Sequence, residues 1–331
     1  MSCRIIAGLR PSVRTTGAAA MTTVALCSLR RRADFLLGRK SQRSLKVRDC
    51  LQSIHFHRRE APEATMDGSM AASAWAATGI VTFPFLFFVS APYGKLGRDG
   101  WGPRIDGRLG WCLQELPSPL ALLYGISSNA ASSADSCGAW MSWKDGAPSM
   151  VLVAVALWCA HYANRAVWYP LTRHMSHTTM PVVASAVAFN LANGTLMGRE
   201  LARRTCEPFT AANVPGLCVM LLGAVINVSA DAALLRLRAA ARGGGGKGRK
   251  GGGASKSTHK VPTGGLFDFV TAPHYLGEFV EWSGFAAMTN TSAGWAFAFW
   301  TFANLFPRAV AYKRWYREKF GDKYVIRRVM F

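Results

Sequence analysis

From Ala71 onward the chain alternates apolar windows with short polar or basic joins. Each window is about 17 to 25 residues long, the length an α-helix needs to cross roughly 30 Å of hydrocarbon. In lipid every backbone N–H and C=O must find its partner within its own segment, so runs of this length admit helices and little else. Seven windows can be counted, over roughly 71–92, 111–128, 149–169, 178–198, 213–235, 272–290 and 293–311. The expected fold is therefore all-α, a polytopic membrane protein with about seven transmembrane helices in one bundle formed by residues 66–331. Pro117 and Pro119 interrupt the second window, and the last two windows are joined by so short a turn that they must form a hairpin.

The composition agrees, because a chain that is 50% hydrophobic and only 17% charged is too oily for an ordinary soluble enzyme. Its net charge of +21 does not point to nucleic acid, since the Lys and Arg lie in blocks between apolar stretches. Blocks of that kind face anionic lipid and the cytoplasm. The join from Arg236 to Lys260 holds eight basic residues and no acid, and the tail after Pro307 holds eight against two acids. Both are expected to be cytoplasmic, with the start of the first span on the opposite side. The short basic loop Arg199–Arg204 runs against that rule.

Within residues 239–260, the run from Gly243 to Gly253 has the G-x-G-x-x-G spacing of a nucleotide-binding loop. Such a loop cradles phosphate only between a strand and a helix. This one follows a membrane span and is nearly pure Gly, Lys and Arg, which is the composition of a flexible linker. Residues 1–65 carry 13 Lys or Arg against four acids, are rich in Ser and hold no spanning-length apolar run. They read either as a transit-like extension or as sequence upstream of a working start at Met66 or Met70. The eight cysteines show no Cys-x-x-Cys pair and no neighbouring His at metal-ligand spacing, so neither a zinc site nor a disulfide scaffold is expected.

Ionisable and polar groups inside spans are costly and mark cavities or partners. Within or beside the windows lie Glu115, His161, Tyr162, Arg165, Asn193, Asn227, Asp231, Glu278, Glu281 and Arg308. Some of these could simply pair to hold helices together. Residues three or four apart share a helix face. Tyr162, Arg165 and Tyr169 form one such stripe, Asn227 and Asp231 a second continued by Arg238, and Glu278 with Glu281 a third. Three polar ridges suggest one shared cavity. Asn and Asp can bind ribose or amide groups, while Arg238, Arg308 and Lys260 can bind phosphate, a set that suits a dinucleotide entering from the cytoplasmic side.

Several motifs in order carry a resemblance. They are Leu113-Gln-Glu-Leu-Pro-Ser118, His161-Tyr-x-x-Arg165, Asn193-Gly194, Asn227 to Asp231, Gly264-Gly-Leu-Phe267 through Gly277-Glu-x-x-Glu-Trp282, and Pro307-Arg308 through Arg314-Trp-Tyr316-x-x-Lys-Phe320. Over roughly residues 90 to 331 the chain resembles the steroid 5α-reductase family, in its steroid-acting branch. That resemblance implies a seven-helix bundle in the endoplasmic reticulum membrane that takes NADPH from the cytosol and delivers hydride to the β-carbon of a 3-oxo-Δ4 enone. Carried over, Glu115 and Tyr162 sit at the substrate carbonyl, with Tyr162 as the donor to the forming enolate, and Trp282 lies against the substrate's apolar body. The resemblance places Tyr93, Tyr169, Asn227, Asp231, Arg238, His274, Glu278, Arg308 and Tyr316 around the cofactor.

His274 stands where the family often has Asn, and Tyr312 where a His often follows the Pro-Arg of the tail. The expected partners are a lipid-soluble steroid or sterol and membrane lipids, with no nucleic acid and no metal; the oligomeric state is left open. A relative that reduces a trans-2-enoyl-CoA or polyprenol double bond would use the same cofactor pocket, and a receptor or scaffold that has lost catalysis would keep the fold alone. A transit peptide in residues 1–65 would place the protein in a plastid or mitochondrial membrane.

Overall fold

A computed structural model describes residues 68–89, 94–97, 100–130, 143–144, 147–173, 175–243, 260–321 and 324. The N-terminal extension, Tyr93 and most of the Gly-Lys-Arg join lie outside the described residues.

The described chain is helical, and each apolar window becomes helix. They are α1 (Gly68–Phe88), α2 (Gly107–Glu115), α3 (Pro117–Ala130), α4 (Met150–Tyr162), α5 (Tyr169–Thr172), α6 (Met180–Ala202), α7 (Val214–Gly243), α8 (Pro273–Thr289) and α9 (Ser292–Phe320). Among the described residues strand is confined to the two-residue pieces Arg104–Ile105 paired with Thr178–Thr179, and Trp143–Lys144 paired with Ala147–Pro148. Among the described residues four segments, Ser69–Phe88, Met150–Thr172, Met180–Ala202 and Ala211–Ala240, are long and apolar enough to cross a membrane.

The other three windows fall short for separate reasons. The second is cut into helices of 9 and 14 residues, because Pro117 opens α3 and has no N–H to continue α2. Helix α8 is 17 residues long and carries Glu278 and Glu281, and α9 bears Asn304, Arg308 and a basic end. The expected hairpin is present. Asn290 takes the left-handed conformation (φ 45°) that ends α8, and the Thr291 side chain accepts from Gly294 N at 3.1 Å to open α9. Helix α7 runs to Gly243, past the start expected for the flexible join at 239. Cys206 is disulfide-bonded, which departs from the cysteine reading, while Cys112, Cys159 and Cys218 are free. Spacing along the sequence alone gave no sign of that bond.

Two helix pairs pack at backbone distance through glycine, as helices in lipid do when small residues line the contact. In the pair α7 and α8, a Cβ on Gly223 would collide with Glu281 N, and one on Gly277 would collide with Asn227 N. In the pair α3 and α6, a Cβ on Gly194 would lie 2.6 Å from Ser118 O and one on Gly125 2.7 Å from Thr195 O. The first contact brings the polar face of α7 against that of α8. Between the helices sits an apolar core of Leu122, Ile126, Trp158, Met197, Trp282, Phe285 and Phe297.

Candidate functional site

The route from α4 to α5 builds one wall of the site. Residues Ala163–Trp168 form a π-helical turn closed by the Tyr169 N–H on Asn164 O, a five-residue step instead of four. Such an insertion shifts every following side chain around the axis and is common at functional sites. Here Arg165 ends between two carboxylates, 4.0 Å from Glu115 Oε1 and 3.6 Å from Glu278 Oε2. Glu115 reaches this point because α2 stops there, and Glu278 comes from the close-packed α7–α8 pair. All three side chains are less than one-fifth exposed, so their charges act on one another with little screening.

Asn227 completes this centre. Its Nδ2 donates to His274 O at 2.9 Å and to Glu278 Oε2 at 3.4 Å. One turn further along α7, Asp231 Oδ1 lies 3.7 Å from Arg173 Nη1. The Arg173 guanidinium covers the Tyr169 ring at 3.8 Å, and Tyr169 stacks on Trp111 with centroids 5.5 Å apart. The Arg165 guanidinium lies over both of these rings, at 5.0 Å from Trp111 and 5.2 Å from Tyr169. Arg173 Nε is buried and makes no hydrogen bond. Arg238 is exposed and acts on Asp231 and Tyr169 only through its charge.

On the other side of Glu115 is an aromatic chamber. Tyr162 is buried against Trp158, His161 and Trp282, with centroids 5.5, 5.1 and 6.1 Å away. Trp282 in turn meets Trp158 at 4.9 Å and Phe297 at 4.6 Å. Glu115, Glu278 and Arg165 are the charges acting on the Tyr162 hydroxyl, Glu115 most strongly. The neighbouring Ser118 hydroxyl is buried without a hydrogen bond of ordinary geometry. His161 Nδ1 lies 2.7 Å from Glu281 Oε1 across the gap between α4 and α8.

A further corner lies at the first turn of α8. Arg308, 4% exposed, donates from Nε to the Tyr275 hydroxyl at 2.8 Å. Its guanidinium sits 5.5 Å from the Tyr312 ring, and Tyr312 is 5.6 Å from the Tyr275 ring, which is tilted on His274 at 4.1 Å. A Cβ on Gly94 would lie 3.9 Å from Arg308 Nη2 and 4.0 Å from the Tyr312 hydroxyl, so the chain next to Tyr93 closes this corner. Tyr316 stands apart in a stack with Phe320 and Tyr324, and Tyr324 bonds Thr271 at 2.8 Å.

The structure thus brings Glu115, Glu278, Asn227 and Arg165 into one centre, with Tyr162 and Trp282 on one side and Tyr169 with Asp231 on the other. The sequence reading missed Arg173, Trp111 and Tyr275. Arg173 lies four residues beyond Tyr169 and Trp111 four before Glu115, so the helical period that found their neighbours extends to both.

The family model described as 3-oxo-5-alpha-steroid 4-dehydrogenase matches residues 176–331. The chain is 36% identical over 253 residues to a steroid 5-alpha-reductase DET2 of Gossypium hirsutum, covering 73% of this chain and 87% of that protein. It is 33% identical over 260 residues to 3-oxo-5-alpha-steroid 4-dehydrogenase 1 of Bos taurus, covering 77% of this chain and 91% of that protein. With the DET2 reductase of Arabidopsis thaliana it shares 32% identity over 261 residues, 74% of this chain and 88% of that one. On this similarity the chain belongs to the 3-oxo-5-alpha-steroid 4-dehydrogenase family and is an oxidoreductase acting on a CH–CH bond.

Proposed function

We propose that this enzyme reduces the C4–C5 double bond of a 3-oxo-Δ4 steroid or sterol with NADPH, in the endoplasmic reticulum membrane. The observation that carries the reading is the position of Tyr162, a buried phenol between an aromatic chamber and the Glu115–Arg165–Glu278 centre.

The donor set suits the cofactor. Arg173 has a buried Nε without a hydrogen bond beside the Tyr169 ring and Asp231, which is the chemistry of a phosphate or ribose contact. Arg238 and Arg308 add cations suited to phosphate, Asn227 and Glu278 suit the amide and ribose, and His274 and Tyr169 supply rings. Tyr93 and Tyr316 are assigned to the cofactor by the resemblance alone. NADPH, when bound, supplies the hydride.

The protein's own part is to hold the enone and to stabilise charge. Trp282 and the neighbouring rings exclude water and pack a flat apolar body. The Tyr162 hydroxyl donates to the 3-oxo group, and that hydrogen bond strengthens as the carbonyl becomes an enolate oxygen. Glu115 orients Tyr162 or shares its proton, and Arg165 fixes Glu115 relative to Glu278. The α-carbon of the enolate then takes a proton from water, whose O–H bond breaks to leave hydroxide to the solvent, and the saturated ketone is complete.

The test is expression from Met66 in yeast membranes, with a 3-oxo-Δ4 steroid and either NADPH or NADH, followed by mass spectrometry. A product heavier by two hydrogens with NADPH supports the reading. Turnover of trans-2-enoyl-CoA or a polyprenol without steroid turnover overturns it.

A further inference from the structure

Tyr162 is the last residue of α4 before the π-helical turn, and Trp282 lies mid-way along α8. Each is preceded by a residue that reaches across to the other helix. These two, His161 and Glu281, meet at 2.7 Å with side chains only 7% and 4% exposed. The His161 ring stands edge-on to Tyr162 at 5.1 Å and to Trp282 at 4.6 Å, with interplanar angles of 71° and 62°. His161 is also among the charges that act on the Glu115 carboxyl.

From this geometry we infer that His161 and Glu281 are a positioning pair, which fixes the Tyr162 and Trp282 rings relative to each other without touching substrate. The inference rests on the steroid-reductase reading above and deepens it.

A phenol that stabilises an enolate must sit within hydrogen-bond reach of one oxygen, and a displacement of about 1 Å at such a group costs about 100-fold in rate. Tyr162 and Trp282 are carried by different helices, so their spacing depends on whatever joins α4 to α8. Ring contacts alone are non-directional and leave sliding along the helix axis weakly opposed. The His161–Glu281 bond is directional and lies one residue from both rings. The contact is made through Nδ1, so Nε2 is turned away from Glu281. The pair is also buried, so water does not compete for either partner.

The test compares Glu281→Ala with Glu281→Gln in the full-length membrane enzyme. It measures kcat per folded molecule, steroid KM, and NADPH affinity by nucleotide fluorescence. Gln keeps an acceptor oxygen for His161; Ala does not. The expected result is a kcat loss of about 100-fold for Glu281→Ala. Glu281→Gln should lose no more than about tenfold, the effect of one weakened hydrogen bond. NADPH affinity should be unchanged in both. An unchanged kcat in Glu281→Ala, a parallel loss of NADPH binding, or a Gln variant as slow as the Ala variant overturns the inference. A wild-type enzyme with no steroid turnover overturns the reductase reading and the inference with it, whereas a competent wild type with unaffected variants overturns the inference alone.

Discussion

Asn227 Nδ2 donates to His274 O at 2.9 Å, and the same nitrogen lies 3.4 Å from Glu278 Oε2. One side chain of α7 thereby holds both the first turn of α8 and the carboxylate that faces Arg165. The contact exists because Gly277 leaves room for the Asn227 backbone.

Gly277→Ala is expected to force α7 and α8 apart, since its Cβ would collide with the Asn227 backbone nitrogen, which cannot rotate away. Overpacking of this kind costs about 1 to 3 kcal/mol. The separation also pulls Asn227 from Glu278, so NADPH affinity should fall in those molecules that fold. Thermal unfolding in detergent together with nucleotide binding checks this, and an unchanged NADPH affinity in the folded fraction would count against the role given to the glycine.

Tyr162→Phe removes one hydroxyl and leaves the ring against Trp158, His161 and Trp282. On the proposed mechanism the transition state then loses its donor. Loss of an oxyanion donor lowers kcat by about 100- to 1,000-fold, while NADPH affinity, set by other residues, should hold. Steady-state kinetics with a 3-oxo-Δ4 steroid decides, and a fully active variant would move the donor role to another group.

Much of this architecture was legible because membrane helices announce themselves by length and hydropathy. The windows at 178–198 and 213–235 coincide to within two residues with the starts of α6 and α7, which run on past their ends, and the 272–311 hairpin appears with its turn at Asn290 and Thr291. Polar residues inside such windows stood out for the same reason, which is how Glu115, Asn227, Asp231 and Glu278 were found. The π-helical turn was not legible, because a single shifted hydrogen bond leaves no mark on composition. The tyrosine–arginine stripe read at the α-helical period therefore names Tyr162, Arg165 and Tyr169 but not their partners. Arg204 explains the basic loop that contradicts the charge rule: its guanidinium donates to Thr289 O at 2.9 Å and Asn290 O at 3.0 Å, closing the free carbonyls at the end of α8.

Arg165→Lys retains one positive charge for the two carboxylates that Arg165 Nη2 faces but loses the planar guanidinium. An ammonium can approach Glu115 or Glu278 at good distance, but the stacking over Trp111 and Tyr169 is lost. Both cofactor affinity and kcat should decline by about tenfold, the scale of one charge-assisted hydrogen bond. Lys behaving as Arg in both measurements would show that charge alone suffices.

Asp106 opens α2, and its Oδ1 accepts from Leu109 N and Arg108 N, each at 3.0 Å. The Leu109 N–H above all, helped by the Arg108 N–H and the nearby His177 and Arg108 charges, outweighs the opposing desolvation and holds this carboxyl below its ordinary range. A group whose folded value is depressed binds protons more readily when unfolded, so its contribution is complete above the unfolded value, near pH 4. The contribution is lost as pH falls from there through the folded value. Asp106→Asn keeps an acceptor oxygen for the cap and removes the titration. Thermal unfolding measured from pH 6 to pH 3 should therefore show a steeper acid loss for the wild type than for Asp106→Asn, with the two most different near neutrality and converging at the acid end. Because α2 ends at Glu115, that loss should be accompanied by loss of activity in acid-treated membranes; identical acid profiles for the two proteins would remove Asp106 from any part in holding α2.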